Sequence, residues 1–402
     1  MWLRLRSATE QKKMSNKKQF ETEAIRTQIE RTQFLEHSSP LYLTSSFVFE
    51  DAEDMRASFA EEKDRNIYSR YSNPNSSEFI DKVCKMEGAE NGFAFASGMA
   101  AVYGTFAALL ESGDHIVSCK SIFGSTHTLF TQFFPKWNIT TSYFNINDLD
   151  TVEELITNKT KIIYAESPTN PGVDVLDLEI LGNLAKKHNL IFIIDNCFAS
   201  PYLQQPIKFG AHLVIHSGTK LMDGQGRVLA GITVGNNDLI DKIYRFSRIT
   251  GPALSPFNAW VLSKSLETLA LRVDRHCANA LQLATYLEGH PKIAWVKYPF
   301  LKSHPKYEIA KKQMKAGGCV VAFEVKGGLE AGRKFFDTVK MLSLSANLGD
   351  SRSIVTHPAS TTHSKLTMEE RQSVGISDGT VRISVGLEHI DDIIADIDQA
   401  LD

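Results

Sequence analysis

The sequence predicts an α/β protein built on a mainly parallel sheet, and three observations predict it. Short continuous apolar runs recur between about Asn73 and Gly251: Ile116-Val117, Ile162-Ile163-Tyr164, Leu190 to Ile194 and Leu213-Val214-Ile215. Strands buried on both faces of a sheet read this way. Amphipathic segments separate the runs, the alternation expected of βαβ units. Two runs end in polar residues, Asp195 after Ile194 and the segment Glu166-Ser167-Pro168-Thr169-Asn170-Pro171 after Ala165. Open α/β sheets place ligands at such strand ends.

Taken in order, residues 1–72 are polar and irregular. Met1 to Lys13 carries arginines without the apolar core of a signal peptide, and Met14 reads as a natural start. Ser38 to Phe49 reads as an extended arm. Residues 73–257 hold the alternating pattern, which Gly251-Pro252-Ala253-Leu254-Ser255-Pro256 breaks. Residues 258–402 open with a long helix expected over Asn258 to His290. A smaller α+β unit follows, including Cys319 to Val325 and Val381 to Val385. A chain of 402 residues exceeds one core, so this division is expected.

Composition excludes several classes. At 43% hydrophobic residues the chain has no apolar stretch long enough to cross a bilayer. A formal net charge of -3 and scattered basic residues give no sign of nucleic-acid affinity. The five cysteines, Cys84, Cys119, Cys197, Cys277 and Cys319, are widely spaced and lack a CxxC pair. They read as free thiols of a cytoplasmic protein, with Cys197 packed in the core. His188, His216, His357 and His363 show no metal-ligand spacing and read as structural, so no metal is expected.

The chemistry centres on Lys220 in His216-Ser217-Gly218-Thr219-Lys220, 25 positions after Asp195. A pyridoxal phosphate (PLP) enzyme needs this pair, a lysine amine to hold the cofactor aldehyde and a carboxylate to keep the pyridine nitrogen protonated. Each residue alone has a plainer reading: lysines near serines are common, and an aspartate after a buried strand often only forms a turn. Ser217 and Thr219 offer hydroxyls to phosphate oxygens. In Phe93 to Val102, an apolar run enters a Ser97-Gly98 turn and an alanine-rich helix. A helix N-terminus has unpaired N–H groups for a phosphate, and Gly98 lets it approach the backbone.

Together with Tyr68-Ser69-Arg70-Tyr71, Leu348-Gly349-Asp350, His357-Pro358-Ala359-Ser360 and Val381 to Gly386, these segments resemble the Cys/Met metabolism family of PLP enzymes. The resemblance runs from about Thr27 to the C-terminus. It implies the aspartate-aminotransferase-like fold type I, a mainly parallel seven-stranded sheet with a smaller C-terminal domain. It implies Lys220, Asp195 and Tyr68 as catalytic residues. The cofactor would lie among Lys220, Asp195, Asn170, Phe123, Ser97, Gly98, Met99, Ser217 and Thr219, with Tyr68 and Arg70 reaching it from a partner subunit. Arg382 would clamp the substrate α-carboxylate, with Asn347 beside it. The implied assembly is a homo-oligomer, a dimer with shared sites or a tetramer, acting on small amino-acid substrates.

Three departures narrow the reaction. Phe123 stands where many members carry tyrosine, so no phenol is available to protonate a leaving thiolate. A carboxylate with a pKa near ~4.3 leaves without such help, which favours an O-acylated homoserine. Ser125 replaces a cysteine found in methionine γ-lyases. The segment Leu221 to Arg227 is similar to that of the O-succinylhomoserine sulfhydrylases, as is Asn347. Arg227 either faces a distal succinyl carboxylate or orders its own glycine-rich loop. The expected reaction is γ-replacement with hydrosulfide to give homocysteine. Its rivals are cystathionine γ-synthesis, the O-acetyl ester reaction and γ-elimination.

Overall fold

The computed structural model describes residues 18–373 and 375–402, so the candidate start at Met14 lies outside the described residues. Seven strands form the main sheet: β1 (Asn91–Phe95), β2 (His115–Cys119), β3 (Thr140–Phe144), β4 (Thr160–Glu166), β5 (Ile191–Asp195), β6 (Leu213–Ser217) and β7 (Gly231–Gly235). Their order is β1-β7-β6-β5-β4-β2-β3. β7 runs antiparallel to both neighbours, and the pairs from β6 to β3 are parallel. Ile162, Ile163 and Tyr164 of β4 and Phe192, Ile193 and Ile194 of β5 have no exposed surface. Burying one such aliphatic or phenylalanine side chain stabilises by about 1.5–3 kcal/mol relative to exposure.

The helices that cover this sheet start and stop on recognisable residues. Gly98–Leu109 begins directly after β1, with Ser97 Oγ accepting the Ala100 N–H at 3.1 Å. Asn237–Thr250 ends at Gly251, whose φ of 87° is left-handed, so the expected break is a glycine stop. Phe106 anchors an aromatic cluster with ring centroids 4.9 Å from Phe130, 6.1 Å from Phe134 and 5.3 Å from Tyr164. This cluster ties the helix to β4, directly beneath the strand end that carries Glu166.

Five strands form a second sheet: β8 (Ile293–Lys297), β9 (Val320–Val325), β10 (Ser343–Leu344), β11 (Ile354–Thr356) and β12 (Thr380–Ser384). Their order is β10-β11-β12-β9-β8, parallel only between β10 and β11. Val321, Phe323, Val381 and Ile383 pack with Leu283, Leu287, Phe335, Ile393 and Ile397 into a core of their own. Among the described residues no helix is long and apolar enough to cross a membrane.

Two expectations need correction. The long helix over Asn258 to His290 is two helices, Pro256–Leu266 and Leu269–Glu288. The Ser265 carbonyl accepts from Arg272 Nη2 at 2.9 Å and Thr268 Oγ1 at 3.3 Å, so the break leaves it satisfied. The first 70 residues also include short helices at Phe20–Arg26 and Ala52–Phe59, the second capped by Asp51, whose carboxylate accepts from Asp54 N at 2.7 Å. Between these helices, Ser38 to Phe49 is irregular, without helix or strand, and touches Tyr68 through an isolated bridge at Ser46.

Phe106→Ala would empty the centre of the aromatic cluster and is expected to cost about 3–5 kcal/mol. Urea denaturation followed by tryptophan fluorescence measures the loss.

Candidate active site

A cavity of about 1250 Å³ opens where β2, β4, β5 and β6 end and the helix Gly98–Leu109 begins. Ser97, Gly98, Met99, Phe123, Asn170, Asp195, Ser217, Thr219, Lys220 and Arg382 all line it. Their convergence follows from the topology. Adjacent parallel strands deliver Asp195 and Ser217 at neighbouring ends, and the turn after β6 carries Thr219 and Lys220. β12 of the smaller sheet brings Arg382 from the other side.

Lys220 is half-buried and donates through Nζ to Asn347 Oδ1 at 2.6 Å. Burial first, and then the charge of Arg382, lower its pKa from the usual lysine value, while Cys197 and Asp195 oppose the shift. Gly349 lies against this turn with φ 73°. A Cβ there would come within 2.8 Å of the Leu221 backbone nitrogen, so only glycine lets the Asn347 loop sit so close.

Asp195 is 7% exposed and accepts the Cys197 N–H at 3.1 Å, with no cation paired to it among the described residues. Arg382 is 5% exposed and is likewise without an acidic partner there. Its guanidinium donates to Asn170 Oδ1 at 2.9 Å, the Asn347 carbonyl at 2.9 Å and Thr356 Oγ1 at 3.2 Å, while Nε has no partner. Burial lowers its pKa to about 10, which still leaves it charged. A buried carboxyl, whose pKa burial raises, and a buried guanidinium, each without an ionic partner in one cavity, are costly to charge unless a ligand completes them. A ligand with a protonated ring nitrogen and a carboxylate would do so.

The phosphate end of such a ligand also fits. Ser97 takes the Ala100 N–H through Oγ and the Ala101 N–H through its carbonyl. The N–H groups of Gly98 and Met99 have no acceptor among the described residues, at the positive end of a 12-residue helix. A Cβ on Gly98 would lie 2.9 Å from Ser217 Oγ and close this cradle. These features define a pyridoxal phosphate enzyme of fold type I.

The comparisons agree. The chain belongs to the Cys/Met metabolism PLP-dependent enzyme family, whose model matches residues 21–402. It is 43% identical over 382 residues to the O-succinylhomoserine sulfhydrylase of Pseudomonas aeruginosa, covering 95% of each chain. It is 42% identical over 367 residues to the L-methionine gamma-lyase of Fusobacterium nucleatum subsp. polymorphum, covering 90% of this chain and 93% of that one. Among solved structures, a Campylobacter jejuni protein described as an O-acetylhomoserine (thiol)-lyase superposes with a TM-score of 0.91 at 36% identity. That match covers 96% of this chain and 100% of the other, which was solved with N'-pyridoxyl-lysine-5'-monophosphate.

Tyr68 and Arg70 were expected at a partner's site, while Cys197 and His363 fall elsewhere than the sequence suggested. Tyr68 and Arg70 do not line the cavity of their own chain. Arg70 donates to the Arg248 carbonyl and lies over the rings of Tyr68 and Tyr71 at 5.4 and 4.8 Å. Of the two readings of Arg227, the loop-ordering one fits. Its Nε and Nη2 hold Asp223 Oδ1 at 3.0 and 2.9 Å, and Nη2 also meets Ser265 Oγ at 2.5 Å. Cys197 is not simply core. It is half-buried against the cavity, with Sγ accepting the Ser217 N–H at 2.8 Å. His363, read as structural, lines the cavity too.

Sequence reasoning gave no role to Glu166. It is 3% exposed, lies in register with Asp195 across β4 and β5, and accepts the Phe123 N–H at 2.8 Å. It therefore fixes the backbone that presents Phe123 to the cavity. Its signal was available, because Glu166 closes an apolar run just as Asp195 does. Burial and then the neighbouring Asp195 charge hold its carboxyl well above the usual range.

A carboxyl raised in the folded state stabilises fully below its unfolded pKa of about 4.5, and that contribution is lost as pH rises through the folded value. The thermal midpoint of Glu166→Gln should therefore gain on that of the native protein between about pH 5 and about pH 8. Parallel melting curves measure this, and equal midpoint differences at both pH values would refute it.

Proposed function

We propose that this chain catalyses γ-replacement, converting O-succinyl-L-homoserine and hydrogen sulfide into L-homocysteine and succinate. The observation that carries this reading is Phe123, which lines the cavity with its backbone held by Glu166 and offers no hydroxyl. Succinate is a weak base and leaves unassisted, whereas a leaving thiolate, with a pKa near ~8.5, gains from a proton donor. The identity to the sulfhydrylase relatives supports the same choice. γ-Elimination from methionine is the second reading, favoured by the similarity to methionine γ-lyases.

When bound, pyridoxal phosphate supplies the electron sink for carbanion chemistry at the α-carbon. Ser97, Gly98, Met99, Ser217 and Thr219 would hold its phosphate, Asp195 its ring nitrogen, Asn170 its phenolic oxygen and Phe123 its ring face. Lys220 would remove the α-proton and help move the β-proton, work suited to an amine whose pKa burial has lowered. Asn347 orients that amine through Oδ1. Arg382 would take the substrate α-carboxylate on its unfilled Nε edge, a fork that lysine cannot reproduce. Because Tyr68 and Arg70 lie away from their own cavity, we assign them to the neighbouring site of a homodimer or tetramer, in the cytoplasm.

Incubation with O-succinyl-L-homoserine and equal hydrosulfide and cysteine, with products identified by mass, tests the reaction. Homocysteine is the expected product, whereas dominant cystathionine, or rapid methionine breakdown to a keto acid, would overturn the proposal. Lys220→Ala should lower kcat by about 10²–10⁴-fold. Arg382→Lys should raise KM by about ten-fold, as measured in the same assay.

A further inference from the structure

The cavity holds more basic groups than this chemistry uses. Besides Lys220 and Arg382, its lining carries Lys120 and His127 on one side and His363 and Lys365 on another. Lys120 follows β2 directly, its backbone N–H fixed on the Phe144 carbonyl at 2.9 Å. Its ammonium has no hydrogen bond or ion pair among the described residues. His127 lies one helical turn past Phe123, in Gly124–Thr128, with its ring 5.2 Å from that of Tyr143. Its Nδ1 is buried and has no partner. Burial, and then the nearby charge of Lys120, lower its pKa. The acidic residues of the lining do not answer this pair. Glu166 and Asp195 lie together at the ends of β4 and β5, and Glu370 has a partner of its own.

The two basic pairs stand on different parts of the fold. His363 follows β11 of the smaller sheet, and the charge of Arg382 reaches it. Lys120 instead follows β2 of the main sheet and His127 lies in the helix Gly124–Thr128, so the two flank Phe123 along the chain. A substrate anchored at Arg382 by its α-carboxylate carries its acyl group at the opposite end of its chain. Arg227, the other basic residue considered for that end, is occupied by Asp223.

We propose that Lys120, with His127 beside it, receives the distal carboxylate of the acyl group and so sets the preference for a dicarboxylic over a monocarboxylic ester. The inference rests on the O-acylhomoserine reading above and names the residues that select within it. Lys120 is exposed at the cavity mouth, so the effect is that of a half-solvated charge-assisted contact, about ten-fold in discrimination.

The test measures kcat/KM for O-succinyl- and O-acetyl-L-homoserine with hydrosulfide, using the holoenzyme and its Lys120→Met and Lys365→Met variants. The succinyl-to-acetyl ratio should fall about ten-fold in Lys120→Met and change less than about three-fold in Lys365→Met. Inhibition by free succinate should weaken in the same variant, a readout independent of turnover. An unchanged ratio in Lys120→Met, or a ratio that falls only in Lys365→Met, overturns the assignment while leaving the γ-replacement reading intact. A native enzyme that turns over neither ester removes both.

Discussion

Asp195 and Arg382, a carboxyl and a guanidinium buried in one cavity, do not pair with each other, and the site depends on that separation. Joined, they would satisfy one another and leave nothing to recognise. Held apart, each is an open valence for a ligand, one for a cation and one for a carboxylate. The two residues come from different sheets, Asp195 from β5 and Arg382 from β12. Asn170 accepts from Arg382 through Oδ1, so a neutral amide takes the place a carboxylate would fill. The guanidinium is thereby oriented without being neutralised.

The same logic governs the second carboxylate. Glu166 stands opposite Asp195 in the sheet, and two adjacent buried carboxyls cannot both ionise cheaply. The pair shares its charge burden, and Glu166 remains useful in its neutral form as an acceptor for Phe123. Lys220 completes the set, its amine held by Asn347 between these charges.

Much of this was legible in the sequence, because the strands that carry the site are buried on both faces and announce themselves as apolar runs. β4, β5 and β6 read directly, with their terminal residues. β3, at the edge of the sheet, did not: Thr140-Thr141-Ser142 is polar and half-exposed, so no apolar run marks it. The joint between Leu266 and Leu269 was hidden for another reason. Glu267 and Thr268 are compatible with a helix, and the break depends on Arg272 reaching back to Ser265, a contact that no local pattern encodes. Arg227 illustrates the same limit. Its partner Asp223 is four residues away, but Ser265 arrives from a distant helix, and only the folded chain decides between loop and ligand. Lys120 and His127 carried no motif, since cavity lining is a property of the fold.

Arg272 has a wider consequence. Besides Ser265 it donates to the carbonyls of Leu221 and Met222, at 2.7 and 3.4 Å, the two residues directly after Lys220. One buried guanidinium thus binds the joint between two helices to the turn that carries the amine. The helix Leu269–Glu288 runs on into the core of the smaller sheet. Arg272 therefore joins the position of that helix to the turn that carries Lys220, although it does not line the cavity itself.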